Sequence, residues 1–117
     1  MYAENILDHY KHPHRRGELK DATHTAYDAN PLCGDRITIY CQVQDGVLKD
    51  VTFKGEGCAI SQASASMLMD EIVGKPVPEV LGTSNEQIYE MLGVPLTTAR
   101  VKCALLSLVV LKKALNP

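Results

Sequence analysis

Four cysteines, and a carboxylate close to the first of them, raise the question of a shared metal or sulfur site: Cys33, Asp35, Cys41, Cys58 and Cys103. The cysteines include no Cys-x-x-Cys pair, so their spacing is not that of a zinc finger. They are spread over most of the chain, and only a fold could bring them together. Cys41 stands in an alternating run, on its apolar side, and reads as a buried structural thiol. The other three stand at the ends of expected elements. Cys33 lies in the turn Asn30-Pro31-Leu32-Cys33-Gly34-Asp35, Cys58 at a helix start after Gly55-Glu56-Gly57, and Cys103 near the start of the last helix. Lys102 adjoins Cys103 and Arg100 lies close by. Helix N-termini and nearby cations favour thiolate over thiol. Asp35 could project on the same side as Cys33 if that segment is extended, giving a set of three thiolates and one carboxylate. Soft thiolates suit Zn²⁺ or iron–sulfur chemistry, and a harder carboxylate is the more replaceable ligand. The alternative is three isolated cysteines near turns.

The elements that must position these residues are legible from periodicity. Residues 2–11 predict a short helix with Tyr2, Ile6, Leu7 and Tyr10 near helical spacing, closed by Pro13. The basic, turn-rich segment from Lys11 to Gly17 reads as a solvated connector, with a docking patch as the alternative. Residues 23–29 predict a weak first strand. Arg36 to Gln44 is the clearest strand, with Ile37, Ile39, Cys41 and Val43 alternating with polar residues. Asp45-Gly46 signals a hairpin. A two-residue loop alone puts Val51 and Phe53 on the wrong face. A three-residue loop, Asp45 to Val47, sets Cys41 opposite Val51 and Ile39 opposite Phe53, so an odd-length loop or a bulge is expected. A helix from about Ala59 to Val73 carries Ser61, Ala63, Ser64, Ala65 and Ser66, which let neighbours approach closely. Residues 77–96 predict a loop with one or two short helices, Ser84 and Gln87 forming a capping box. Thr97 or Thr98 opens a final helix to about Leu115. It is apolar nearly all round, and must be buried against the sheet and neighbours or partly in a subunit contact, as in a homo-oligomer. Strands first and helices after indicate an α+β fold.

Composition bounds the function. The 117 residues predict one domain, 1–117, and the hydrophobic fraction of 45% is that of a globular protein. A formal charge of -2 argues against nucleic-acid binding. The longest apolar run, Ala104 to Leu111, is far short of a membrane span and is interrupted by Ser107. The first ten residues lack the basic start and apolar stretch of a signal peptide. The expectation is a cytoplasmic protein with reduced thiols and no membrane partner.

Several stretches together resemble the U-type iron–sulfur scaffold family: IscU, SufU and the N-terminal domain of NifU. They are Ile6-Leu7-Asp8-His9-Tyr10 through Pro13 and Gly17, Asn30 to Asp35, Phe53-Lys54-Gly55-Glu56-Gly57-Cys58, Ser61 to Met67, and Arg100-Val101-Lys102-Cys103-Ala104. The resemblance spans almost the whole chain. It implies a three-stranded antiparallel sheet with helices packed on it. It also implies that Cys33, Asp35, Cys58 and Cys103 bind a transient [2Fe-2S] cluster, or zinc in the cluster-free form. The implied function is a scaffold, not an enzyme, that takes sulfur from a cysteine desulfurase and passes a cluster to apo acceptor proteins. Cys103, flanked by cations, is the expected first sulfur acceptor. The alternative is a SufU-like, zinc-dependent sulfur-transfer partner that builds no cluster.

Three departures from the pattern stand out. The IscU branch has histidine before the last cysteine, where this chain has Lys102. A protonated amine has no lone pair for a metal, so Lys102 is expected to give electrostatic support to the thiolates or to pair with Asp35. Cys58 and Cys103 are separated by an IscU-like length, without the insertion usual in SufU, although the residues around Lys102 are SufU-like. The Leu-Pro-Pro-Val-Lys segment read by an Hsp70-type chaperone is also absent, which argues against dependence on that chaperone.

Overall fold

A computed structural model of the chain describes residues 4–31 and 34–116. The elements follow in the order α1 (Glu4–Lys11), β1 (His24–Asn30), β2 (Asp35–Gln44), β3 (Val47–Glu56), α2 (Ala59–Ile72), α3 (Val77–Leu81), α4 (Asn85–Leu92) and α5 (Thr98–Leu115). The strands form one antiparallel sheet in the order β1-β2-β3. The α+β class and the three-stranded antiparallel sheet are therefore as the sequence implied.

The hairpin solves its register problem with a bulge. Ile39 faces Phe53 and Cys41 faces Val51, as expected. The loop itself has two residues, because Gln44 pairs with Val47. Asp45 and Gly46 both have positive φ, 55° and 76°, the conformation of a type I′ turn. The register then shifts between Gln42 and Val43, leaving Lys49 as the extra residue of β3. The bulge restores Val51 and Phe53 to the apolar face, so the three-residue loop is replaced by the other expected solution.

That apolar face of Ile37, Ile39, Cys41, Val51 and Phe53 is fully buried. It packs under α2 and α5, which also pack on each other. Helix α2 is buried on nearly every side from Ile60 to Met69. Its serines and alanines make this feasible, since small side chains allow close approach and the hydroxyls find partners. Ser64 Oγ donates to the Ala104 carbonyl of α5 at 2.7 Å and Ser61 Oγ to the Cys58 carbonyl at 3.1 Å. Helix α5 is buried over most of its surface, leaving Val109 exposed. Intramolecular packing thus accounts for most of its apolar character. Helix α4 begins with the expected capping box between Ser84 and Gln87.

At the N-terminus α1 spans Glu4–Lys11, within the expected 2–11, with Ile6 buried and Tyr10 exposed. Tyr2 lies outside the described residues. The reading of the basic connector needs correction, because it is not simply solvated. Phe53 donates its N–H to Arg15 O at 3.0 Å and Gly17 donates to Phe53 O at 2.9 Å. Arg16 donates to Gly55 O at 2.8 Å, and Arg15 pairs with Asp50 at 3.0 Å. The segment thereby covers the outer edge of β3, which would otherwise present unpaired backbone groups.

Candidate metal centre

Three of the predicted side chains converge. Asp35 opens β2, Cys58 is the N-cap residue of α2, and Cys103 lies in the second turn of α5. One ligand atom from each lies within 4.8 Å of the others. Asp35 and Cys103 are buried, while Cys58 is partly exposed, so the group reaches the surface on one side. Cys33 lies outside the described residues, two positions before Asp35 in the chain.

The local backbone explains the convergence. Asp35 Oδ1 accepts the Cys58 N–H at 2.9 Å, which ties the start of β2 to the start of α2. Asp35 Oδ2 is buried and has no hydrogen-bond partner among the described residues. A buried carboxylate oxygen without a partner is costly unless a cation satisfies it. Two thiols and this oxygen form a donor set that fits Zn²⁺ or iron. Cys58 makes no side-chain cap bond to its helix. Its sulfur is therefore left for other chemistry at a helix N-terminus, where the exposed N–H groups favour negative charge.

Gly57 makes this approach feasible, a role that strand and helix periodicity does not show. Its φ is +149°, a conformation reserved for glycine, and a Cβ built there would sit 2.2 Å from Asp35 Oδ1 and 2.9 Å from Asp35 Cα. A glycine immediately before a candidate ligand cysteine is the sequence signal for such close passage.

The remaining candidates separate cleanly. Cys41 is fully buried in the core, and burial pushes its thiol up to about 12. Among the described residues it is not one of the donors that converge with Asp35. Lys102 is exposed, whereas its neighbour Cys103 is buried. Adjacent helical residues do not face each other. Among the described residues no ion pair joins Lys102 to Asp35. Lys102 lines a shallow apolar depression with Pro31, Leu105 and Val109. The Cys103 thiol lies 3.7 Å from the Ala99 carbonyl, within reach as a donor.

The model of the NifU-like N terminal domain matches residues 1–117. The chain belongs to this family. The NifU-like chain is 40% identical to the iron–sulfur cluster assembly scaffold protein IscU of Thermotoga maritima, covering 99% of this chain and 93% of that protein. It is 36% identical to the zinc-dependent sulfurtransferase SufU of Bacillus subtilis, covering 97% and 88%. The crystal structure of a putative SUF-system scaffold protein from Fervidobacterium islandicum superposes with a TM-score of 0.85 at 31% identity, over 98% of this chain and 96% of that one. The alignments to the first two relatives run over 132 and 130 positions, more than the 117 residues here. Relatives of both names thus carry residues that this chain lacks, and its short length does not divide the IscU from the SufU type. Among the described residues, no helix is long and apolar enough to cross a membrane.

Proposed function

We propose that this chain is a scaffold for iron–sulfur cluster assembly, acting as a single cytoplasmic domain rather than as an enzyme. The observation that carries the reading is the meeting of Asp35, Cys58 and Cys103, with one buried Asp35 oxygen lacking a partner among the described residues. Cys33, two residues from Asp35, is the proposed fourth ligand. The likeness to scaffold proteins named IscU supports the same reading. The thiolate of Cys103 attacks the outer sulfur of a persulfide on a cysteine desulfurase. The sulfur–sulfur bond breaks, and the desulfurase cysteine leaves as thiolate. An external electron donor then reduces the bound sulfur, iron joins it, and a [2Fe-2S] cluster is held as cargo until an apo acceptor protein takes it. The partial exposure of Cys58 suits release, and the buried Asp35 supplies the most replaceable ligand.

Anaerobic reconstitution with Fe²⁺, cysteine and a desulfurase tests this. A coloured protein that transfers its cluster is expected. The second reading, favoured by the likeness to SufU, is a zinc-holding sulfur-transfer partner. It predicts faster cysteine desulfuration by a colourless, zinc-loaded protein.

Asp35→Ala should retain cluster and slow its transfer to an apo-ferredoxin by on the order of tenfold, a barrier increase of ~1.4 kcal/mol. The carboxylate is the opening through which incoming thiolates enter. Transfer at the wild-type rate would remove Asp35 from that role.

Lys102 is proposed to act through its charge alone. The Lys102→Ala protein should bind the same amount of metal and accept sulfur a fewfold more slowly, the difference fading as salt rises. Loss of metal from a folded Lys102→Ala protein would instead make the lysine part of the binding set.

A further inference from the structure

A second group of donors lies where the N-terminal segment meets α2. His9 in the last turn of α1, His14 in the connector and Asp70 near the end of α2 each offer a ligand atom within 4.8 Å of the others. They do not belong to the thiol site. Asp70 stands twelve residues beyond Cys58 along α2, which at the helical rise is about 18 Å away.

The group is built rather than incidental. Ser66, fully buried one turn before Asp70, holds both histidines. Its Oγ lies 2.7 Å from His9 Nδ1 and accepts the backbone N–H of His14 at 2.7 Å. The two imidazole rings lie with centroids 4.4 Å apart. His14 Nδ1 bonds directly to Asp70 Oδ2. When His9 Nδ1–H donates to Ser66, the Nε2 lone pair of His9 is left for a cation. This is the usual arrangement of a ligating histidine, whose other ring nitrogen is held by a partner. Burial and the neighbouring His14 lower the His9 pKa, against the opposing pull of Asp70 and Asp8, which favours the neutral ring. Arg15 is the competing cation. Its Nε is 3.8 Å from Asp70 Oδ1, but its Nη1 is engaged with Asp50 at 3.0 Å.

We propose that His9, His14 and Asp70 form a second site for a first-row divalent cation of the Zn²⁺ or Fe²⁺ type. Two imidazoles and a carboxylate, without thiolate, match the preferences of those ions and leave positions open to water. The cation takes the place of the proton between His14 and Asp70. Donors about 2 Å from a common ion lie within roughly 4 Å of one another, so small side-chain rotations complete the site. Because its ligands come from α1, the connector and α2, the ion clamps the N-terminal segment onto the central helix.

The test is a Zn²⁺ titration of the full chain by calorimetry, with thermal unfolding followed in parallel. His14→Ala and Asp70→Asn are the variants, both at exposed positions. The wild type should take one equivalent beyond that held by the thiol site, and that equivalent should raise its Tm. Each variant should keep the thiol-site equivalent, bind the extra one at least tenfold more weakly and lose the Tm increment. Co²⁺ as the added ion should shift the His9 and His14 ring signals in NMR of the wild type. A wild type saturated by the thiol site alone overturns the proposal. So does an extra equivalent that binds both variants as tightly as the wild type.

Discussion

Gly57→Ala is expected to destabilise the protein by about 2–6 kcal/mol and to weaken zinc binding more than tenfold. Two costs combine. An alanine at φ +149° occupies a glycine-only conformation, worth about 1–3 kcal/mol. Its Cβ also meets the Asp35 carboxylate at 2.2 Å and the Asp35 backbone at 2.9 Å, an overpacking that costs about 1–3 kcal/mol. The backbone cannot yield cheaply there, because the Cys58 N–H is bonded to the same carboxylate. Relief must come from moving Asp35 or the start of α2, and either motion separates the ligands. Gly74→Ala is the control, since that glycine has φ +86° but open space around it. It should lose stability and keep full zinc affinity. Urea unfolding and competition with a zinc chelator measure the two effects. A Gly57→Ala protein with wild-type affinity would mean that the close passage of Gly57 does not hold the site.

Cysteine substitutions should give the largest changes in binding. Cys58→Ser and Cys103→Ser are each expected to weaken zinc or cluster retention by more than the ~10–100-fold typical of losing an outer partner of a metal ligand. A serine hydroxyl at neutral pH is protonated and a poor replacement for thiolate. Cys41→Ser should bind normally while losing ~1–3 kcal/mol of stability, because its hydroxyl is buried in an apolar sheet face. The same contrast should hold for thiol chemistry. With its pKa pushed up to about 12 and no solvent access, Cys41 should resist alkylation in the folded protein at neutral pH. Metal analysis and mass spectrometry of alkylated protein check both statements. Loss of metal from a folded Cys41→Ser protein would overturn the division between core and site cysteines.

By itself, the sequence determined the order and type of the elements and the separation of Cys41 from the other cysteines. These are local properties. Alternation in Ile37, Ile39, Cys41 and Val43 marks a strand face whatever that face packs against. Ser84 and Gln87 cap a helix through neighbouring backbone groups alone. The motifs around Asp35, Cys58 and Cys103 also carried enough pattern to name the family. Other features depended on contacts between distant segments, which no local pattern encodes. The hairpin could meet its register by loop length or by a bulge, and the favourable twist of the two-residue Asp45-Gly46 turn decided for the bulge at Lys49. The basic connector looked solvated because the edge of β3 that it covers is remote in sequence. The exposure of Lys102 beside a buried Cys103 followed from how α5 is rotated against the sheet, and an apolar helix carries only a weak signal for that rotation. Gly57 against Asp35, and His9 and His14 against Asp70, are meetings of side chains across the packed faces of different elements. Tertiary structure alone decides them, since a distance of a few Å between residues far apart in the chain is set by the packing of everything between them.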